Sequence, residues 1–215
     1  MCFSAQASFI GAGVLTVIGL VTIASIHTRR IIPFALAPLI FAVQQALEGI
    51  VWVTLNTGQT TSTLHRIGVY GFLSFVGMFW PLWAPISLWL IEPIKIRRHL
   101  LIGTLIFGIL VAAASISQFV HSIPTAHILN HHLVYSTLDR PFNTFRGTCV
   151  TIFYLIATVG SFLISSVPLM WLAGLIVGAA WVITITLYYF AFGSLWCFFG
   201  ALASMMAYLI VKNYR

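Results

Sequence analysis

Apolar residues gather along this chain into seven blocks, at roughly residues 5–26, 31–55, 68–91, 99–119, 148–166, 168–190 and 193–211. Crossing a hydrocarbon core of about 30 Å as a helix takes about 20 such residues, so each block has the length of one membrane span. The pattern predicts an all-α integral membrane protein, a bundle of seven transmembrane helices forming one domain over residues 1–215. The shortest break is Ser165-Ser166-Val167-Pro168, between the fifth and sixth blocks. A proline suits the first turn of a helix, where its missing N–H is no loss, so a new helix is expected to begin there. The first block has no basic leader and no small-residue cleavage pattern before a soluble domain, and it reads as a retained helix.

Composition narrows the class. With 60% hydrophobic and 6% charged residues, and a mean hydropathy of +1.05, a water-solvated globular surface is excluded. The net charge of +7 would point to nucleic acid in a soluble protein. Here membrane topology explains it better. Arg29-Arg30, Lys95 with Arg97-Arg98, and Lys212 with Arg215 carry seven of the ten Lys and Arg residues, all in alternate connections or at the end. By the positive-inside rule these segments are cytoplasmic, the N-terminus is outside and the C-terminus inside. Nucleic acid is not an expected partner; membrane lipid is.

On that orientation the larger polar side chains cluster in the outer halves of the helices. Gln6, Gln44, Gln45, Glu48, Tyr70, Ser74, Ser115, Gln118, Cys149, Tyr154, Thr184, Tyr188, Tyr189, Ser194 and Cys197 all lie there. Polar groups are costly in hydrocarbon unless they face one another or water, so the asymmetry predicts a cavity opening outward. For any one hydroxyl or tyrosine, hydrogen bonding between helices or an interfacial belt is the plainer account. Glu48 is the strongest single candidate. No Lys or Arg falls inside a span to neutralise it, so it must be protonated, hydrogen-bonded or bound to a cation. Gln44, Gln45 and Trp52 share or border its helix face. Trp80, Gln118 and Tyr188 complete the expected substrate-binding set. In the third helix, Pro81 and Pro85 each free a carbonyl one turn earlier, which predicts a kink near Gly77 to Pro81. Ser or Thr neighbours are expected to satisfy those carbonyls, more often than a ligand does.

Cys2, Cys149 and Cys197 all fall on or near the outer face, where an oxidising compartment would permit one disulfide. Cys2 also follows the initiator Met, and removal of Met1 would leave a thiol beside a free amine, the arrangement of an N-terminal nucleophile. The seven histidines fall in connections or at helix ends, and no HExxH, GxSxG or P-loop pattern occurs. That excludes hydrolases built on intramembrane histidine-zinc sites and calls for no cofactor. The Val120 to Gly147 connection holds His121, His127, His131 and His132 among apolar residues. It is expected to form an interfacial helix over the bundle mouth, a lid without metal, although His127 and His131 would share one helix face.

The opening Met-Cys-Phe-Ser-Ala, the segment Gln44-Gln45-Ala46-Leu47-Glu48-Gly49-Ile50-Val51-Trp52, the run Trp80-Pro81-Leu82-Trp83-Ala84-Pro85 followed by Ile91-Glu92-Pro93, and Ser194-Leu195-Trp196-Cys197-Phe198-Phe199 together resemble a family of small bacterial multi-pass membrane proteins of unknown function. The resemblance implies a bacterial cytoplasmic (inner) membrane location and transfers no catalytic role. Two function classes remain open. A membrane hydrolase or transferase acting on a lipid-like or small amphiphilic substrate would use Glu48 as acid or base and Cys2 or Cys197 as nucleophile. A non-enzymatic bundle would hold a small molecule or cation in the same cavity. Transport, which needs a polar route through the apolar inner halves, ranks last.

The orientation has a direct check. A membrane-impermeant thiol reagent is expected to label Cys2 on intact cells; labelling only after permeabilisation would invert the topology.

Overall fold

The computed structural model describes residues 4–136, 144–187 and 191–214. Among them are seven helices long and apolar enough to cross a membrane: α1 (Ala5–Ala24), α2 (Arg29–Asn56), α3 (Thr63–Ile91), α4 (Lys95–His121), α5 (Phe145–Ile164), α6 (Met170–Leu187) and α7 (Phe192–Asn213). Arg29, Arg30, Lys95, Arg97, Arg98 and Lys212 sit at one end of the bundle, called here the basic end.

Helix α1 starts where the Ser4 hydroxyl caps the Ala7 N–H at 3.2 Å. Its buried stripe, Ser8, Gly11, Leu15, Gly19 and Thr22, recurs every three to four residues and is mostly small. Small residues let helices approach closely where no water drives association. A Cβ at Gly19 would stand 2.5 Å from Leu39 Cγ of α2, so only glycine fits. The opposite face leaves Ile10 66% and Val17 62% exposed, the side-chain type that hydrocarbon covers.

Helix α3 leaves α-helical geometry just ahead of its prolines. Phe75–Phe79 form one π-helical turn, in which the Trp80 N–H bonds to the Phe75 carbonyl. Pro81 cannot donate to Gly77, and Ser115 Oγ of α4 donates to that carbonyl instead, at 3.1 Å. Pro85 likewise frees the Pro81 carbonyl, which lies against Gly108 of α4; a Cβ there would be 2.1 Å from the oxygen. Serine and glycine on α4 thus receive the two carbonyls that α3 cannot use. A second π-helical turn, Ile156–Gly160, interrupts α5, and just beyond it the Ser161 hydroxyl meets that of Thr104 on α4 at 2.8 Å.

At the basic end Glu92, 3% exposed, ties the α3–α4 connection to the α5–α6 connection. Its carboxylate accepts from the Ser165 hydroxyl (3.0 Å), the Ser166 N–H (2.7 Å), the Ser166 hydroxyl and the Ile94 N–H (3.2 Å). Arg97 adds a bond to the Ile164 carbonyl at 2.9 Å, and the Tyr214 hydroxyl donates to that of Ile91 at 3.2 Å. This clamp also corrects the expected start of α6. The helix begins at Met170, not at Pro168, and Leu169 takes a left-handed φ of 66°. Ser165 and Ser166 are held by Glu92, so the chain turns only after them.

The connection from α4 to α5 differs from expectation more sharply. Instead of an interfacial helix it forms an antiparallel hairpin, β1 (Ala126–Leu129) paired with β2 (His132–Tyr135), Ala126 opposite Tyr135 and Leu129 opposite His132. Asn130 and His131 both have positive φ, 48° and 61°, the backbone of a two-residue turn whose twist matches paired strands. All four residues of β2 are buried, and Tyr135 stacks on Phe72 of α3 with ring centres 4.7 Å apart. The hairpin plugs the bundle end opposite the basic one, packing on Val51, Trp52, Val69 and Cys197. It leaves no helix face for His127 and His131 to share.

The Glu92 clamp makes a pH-dependent prediction. Burial would raise this carboxyl's pKa, but the hydrogen bonds from Ser166, Ile94 and Ser165 outweigh it and hold the group below the usual carboxylate range. A pKa depressed by folding contributes stability that is full above the unfolded value, about 4.3, and is lost as pH falls through the folded one. Glu92→Gln is expected to lower stability by about 1–3 kcal/mol at pH 7. In thermal melts in detergent, the gap from wild type should close progressively below about pH 4.3.

Candidate functional site

The face of α2 that carries Gln44, Gln45, Glu48 and Trp52 turns wholly inward. The glutamines and Glu48 are 0% exposed and Trp52 is 4% exposed. Two neighbouring helices meet this face. From α3, Trp80 Nε1 donates to Gln44 Oε1 at 2.6 Å. From α7, the Ser194 hydroxyl donates to Glu48 Oε1. Cys197, one turn beyond Ser194, lies beside Gln44, and Gln45 approaches the Glu48 carboxyl.

Local geometry explains the convergence. The π-helical turn ahead of Trp80 rotates the indole away from the preceding α-helical register, and stacking on Phe41 of α2 at 3.9 Å holds it flat over its partner. Ser194 and Cys197 are three apart on α7 and so share one face. The cluster is nonetheless under-bonded. Among the described residues, Gln44 Nε2, both polar atoms of the Gln45 amide, Glu48 Oε2 and Trp52 Nε1 are buried without a well-formed hydrogen bond. Each such group costs about 1–3 kcal/mol of desolvation, and native interiors contain few.

Two cavities flank this cluster without reaching Glu48. The first, with about 720 Å³ of empty space including its mouth, runs from the centre of the bundle toward the basic end. Its walls are almost wholly apolar and aromatic: Phe34, Phe41, Trp80, Trp83, Tyr154 and Trp196, joined by Cys197 and Thr158. The second, about 980 Å³ measured the same way, lies on the hairpin side, with Ser115 and Gln118 of α4 facing Thr144, Arg146 and Thr151 of α5. Tyr154 and Trp196 line both, their rings 4.9 Å apart, and form the partition between them.

The expected site residues therefore separate into groups. Gln44, Gln45 and Glu48 form the sealed cluster. Trp80 and Cys197 touch both that cluster and the aromatic cavity, while Trp52 packs with the hairpin plug. Gln118 belongs to the second cavity. Cys2 and Tyr188 lie outside the described residues. Ser194, Phe41 and Trp196 were absent from the expected set. Ser194 was legible only as a polar residue at the right depth, because nothing in a sequence tells which helix face meets which neighbour.

The whole chain, residues 1–215, matches the family of unknown function DUF6629, and the protein belongs to that family. No curated protein and no solved structure matches it.

The Gln44–Trp80 bond can be tested directly. Gln44→Leu leaves the buried indole N–H without an acceptor and is expected to cost about 1–3 kcal/mol. Gln44→Glu keeps an acceptor oxygen and should recover part of the loss, both read as shifts of the thermal midpoint in one detergent.

Proposed function

We propose that this member of the DUF6629 family is a multi-pass membrane protein that binds a small amphiphilic or lipid-like molecule. The apolar part occupies the aromatic cavity, and the polar part lies against Trp80 and Cys197, the two lining residues that border the sealed Gln44–Glu48 cluster. One observation carries the reading. Buried polar atoms of Gln44, Gln45, Glu48 and Trp52 that lack a well-formed hydrogen bond to any described residue are concentrated on a single helix face. Two residues that border this cluster, Trp80 and Cys197, also form part of the cavity wall. Ligand pockets commonly combine an apolar, aromatic lining with a few converging polar groups.

A hydrolase or transferase using Glu48 as acid or base is the second reading, favoured by the hydroxyl–carboxyl pair that Ser194 makes with Glu48. It ranks behind binding because that pair borders neither cavity. The alternating charge of the connections supports a cytoplasmic basic end, and the resemblance of its motifs to small bacterial multi-pass proteins supports a bacterial cytoplasmic membrane, with the chain as one domain.

Organic extraction of the protein purified in mild detergent, followed by mass spectrometry, tests the binding reading. A stoichiometric amphiphile should accompany the wild type. It should fall at least roughly tenfold, about 1.4 kcal/mol, in Ala84→Leu, which fills the aromatic cavity, and weaken in Glu48→Gln with the bound molecule chemically unchanged. An altered molecule in Glu48→Gln would favour catalysis. Equal recovery from wild type and Ala84→Leu would remove the cavity from the account.

A further inference from the structure

The second cavity differs from the first in chemistry as well as position. Its floor is apolar and aromatic, made by Tyr154, Phe192 and Trp196. Its upper walls are polar, with Ser115 and Gln118 on α4 facing Thr144, Arg146 and Thr151 on α5. Among the described residues, Arg146 is the only charged one in this lining.

The Arg146 charge is uncompensated among the described residues. Its guanidinium makes one hydrogen bond, Nη2 to the Ala114 carbonyl at 3.3 Å. A guanidinium carries five N–H donors in a planar fork, and most of those on this exposed side chain meet no described residue. The two carboxylates among the described residues are committed elsewhere, Glu48 to Ser194 and Glu92 to Ser165 and Ser166. The α5 N-terminus, where Thr144 caps the Gly147 N–H at 3.0 Å, adds its positive dipole end to the same wall. A forked cation beside a helix N-terminus, above an aromatic floor, matches a ligand with an anionic head and an apolar body.

We propose that this cavity is a second binding site, separate from the aromatic one, that takes the carboxylate or phosphate head of an amphiphile on Arg146, with Gln118 on the opposite wall and the apolar portion resting on Phe192 and Trp196. It does not depend on the aromatic cavity having a ligand.

Native mass spectrometry of the full chain released from a neutral detergent, with oleate and methyl oleate as probes, tests the site. One oleate per chain is expected on the wild type and on Arg146→Lys. Affinity should be at least roughly tenfold lower in Arg146→Gln, and methyl oleate should bind all three proteins as weakly as oleate binds Arg146→Gln. Ala84→Leu, which blocks only the aromatic cavity, should leave the oleate signal unchanged, so failure of the first site and of this one remain distinguishable. Unaltered melting of Arg146→Gln and Arg146→Lys controls for folding. Millimolar inorganic phosphate that displaces oleate supports the site with a free anion as its source; oleate that stays bound supports it with a membrane amphiphile as its source. Equal binding of oleate to wild type and Arg146→Gln, or of ester and acid to the wild type, overturns the proposal.

Discussion

A backbone carbonyl that loses its helical partner inside an apolar bundle must be bonded or packed elsewhere, and α3 has two of them. Pro81 and Pro85 release the carbonyls of Gly77 and Pro81, and α4 answers with the Ser115 hydroxyl and the bare Cα of Gly108. This pairing sets how close α3 and α4 stand. The π-helical turn that accompanies it sets the direction in which Trp80 points. Trp80 then holds Gln44, forms part of the aromatic cavity wall and stacks on Phe41. The candidate site thus follows from how one proline-bearing helix accommodates its backbone.

The same demand is met differently at the two ends. At the basic end a single carboxylate, Glu92, gathers four donors from two connections, which keeps three helix termini in register. At the other end the hairpin satisfies its own backbone by strand pairing and can therefore bury β2 in the bundle mouth. A helix lying across the mouth would have covered it without entering. The plug explains why the sealed cluster is closed on that side, and why the larger polar cavity lies between α4 and α5 instead.

Between these ends the interior divides at Tyr154 and Trp196. On one side the walls are aromatic with almost no polar group; on the other they carry an arginine, an amide and hydroxyls. The π-helical turn in α5 begins two residues after Tyr154 and includes Thr158, which lines the aromatic cavity. Both cavities are therefore shaped by local departures from α-helical geometry, which is where helix bundles commonly place function.

Seven helices, their approximate limits and an irregular stretch of α3 near Gly77 to Pro81 were legible in the sequence, because hydrophobic length and a missing N–H act locally, through the chain's own neighbours. Helical spacing put Gln44, Gln45 and Glu48 on one face, but that this face is sealed, and does not line the outward-opening cavity expected of it, was decided by packing. What the sequence could not determine was which faces meet. Ser194 as the partner of Glu48, Ser115 as that of Gly77 and Ser166 as that of Glu92 are joined across 146, 38 and 74 residues. Such pairings depend on how the helices rotate and pack, and a serine looks alike on every face. The hairpin was misread for a related reason: four-residue strands of mixed polarity fit a helical period as readily as a strand's. The choice was made by the left-handed turn at Asn130-His131 and by the space that only the assembled bundle provides for Leu133 and Tyr135.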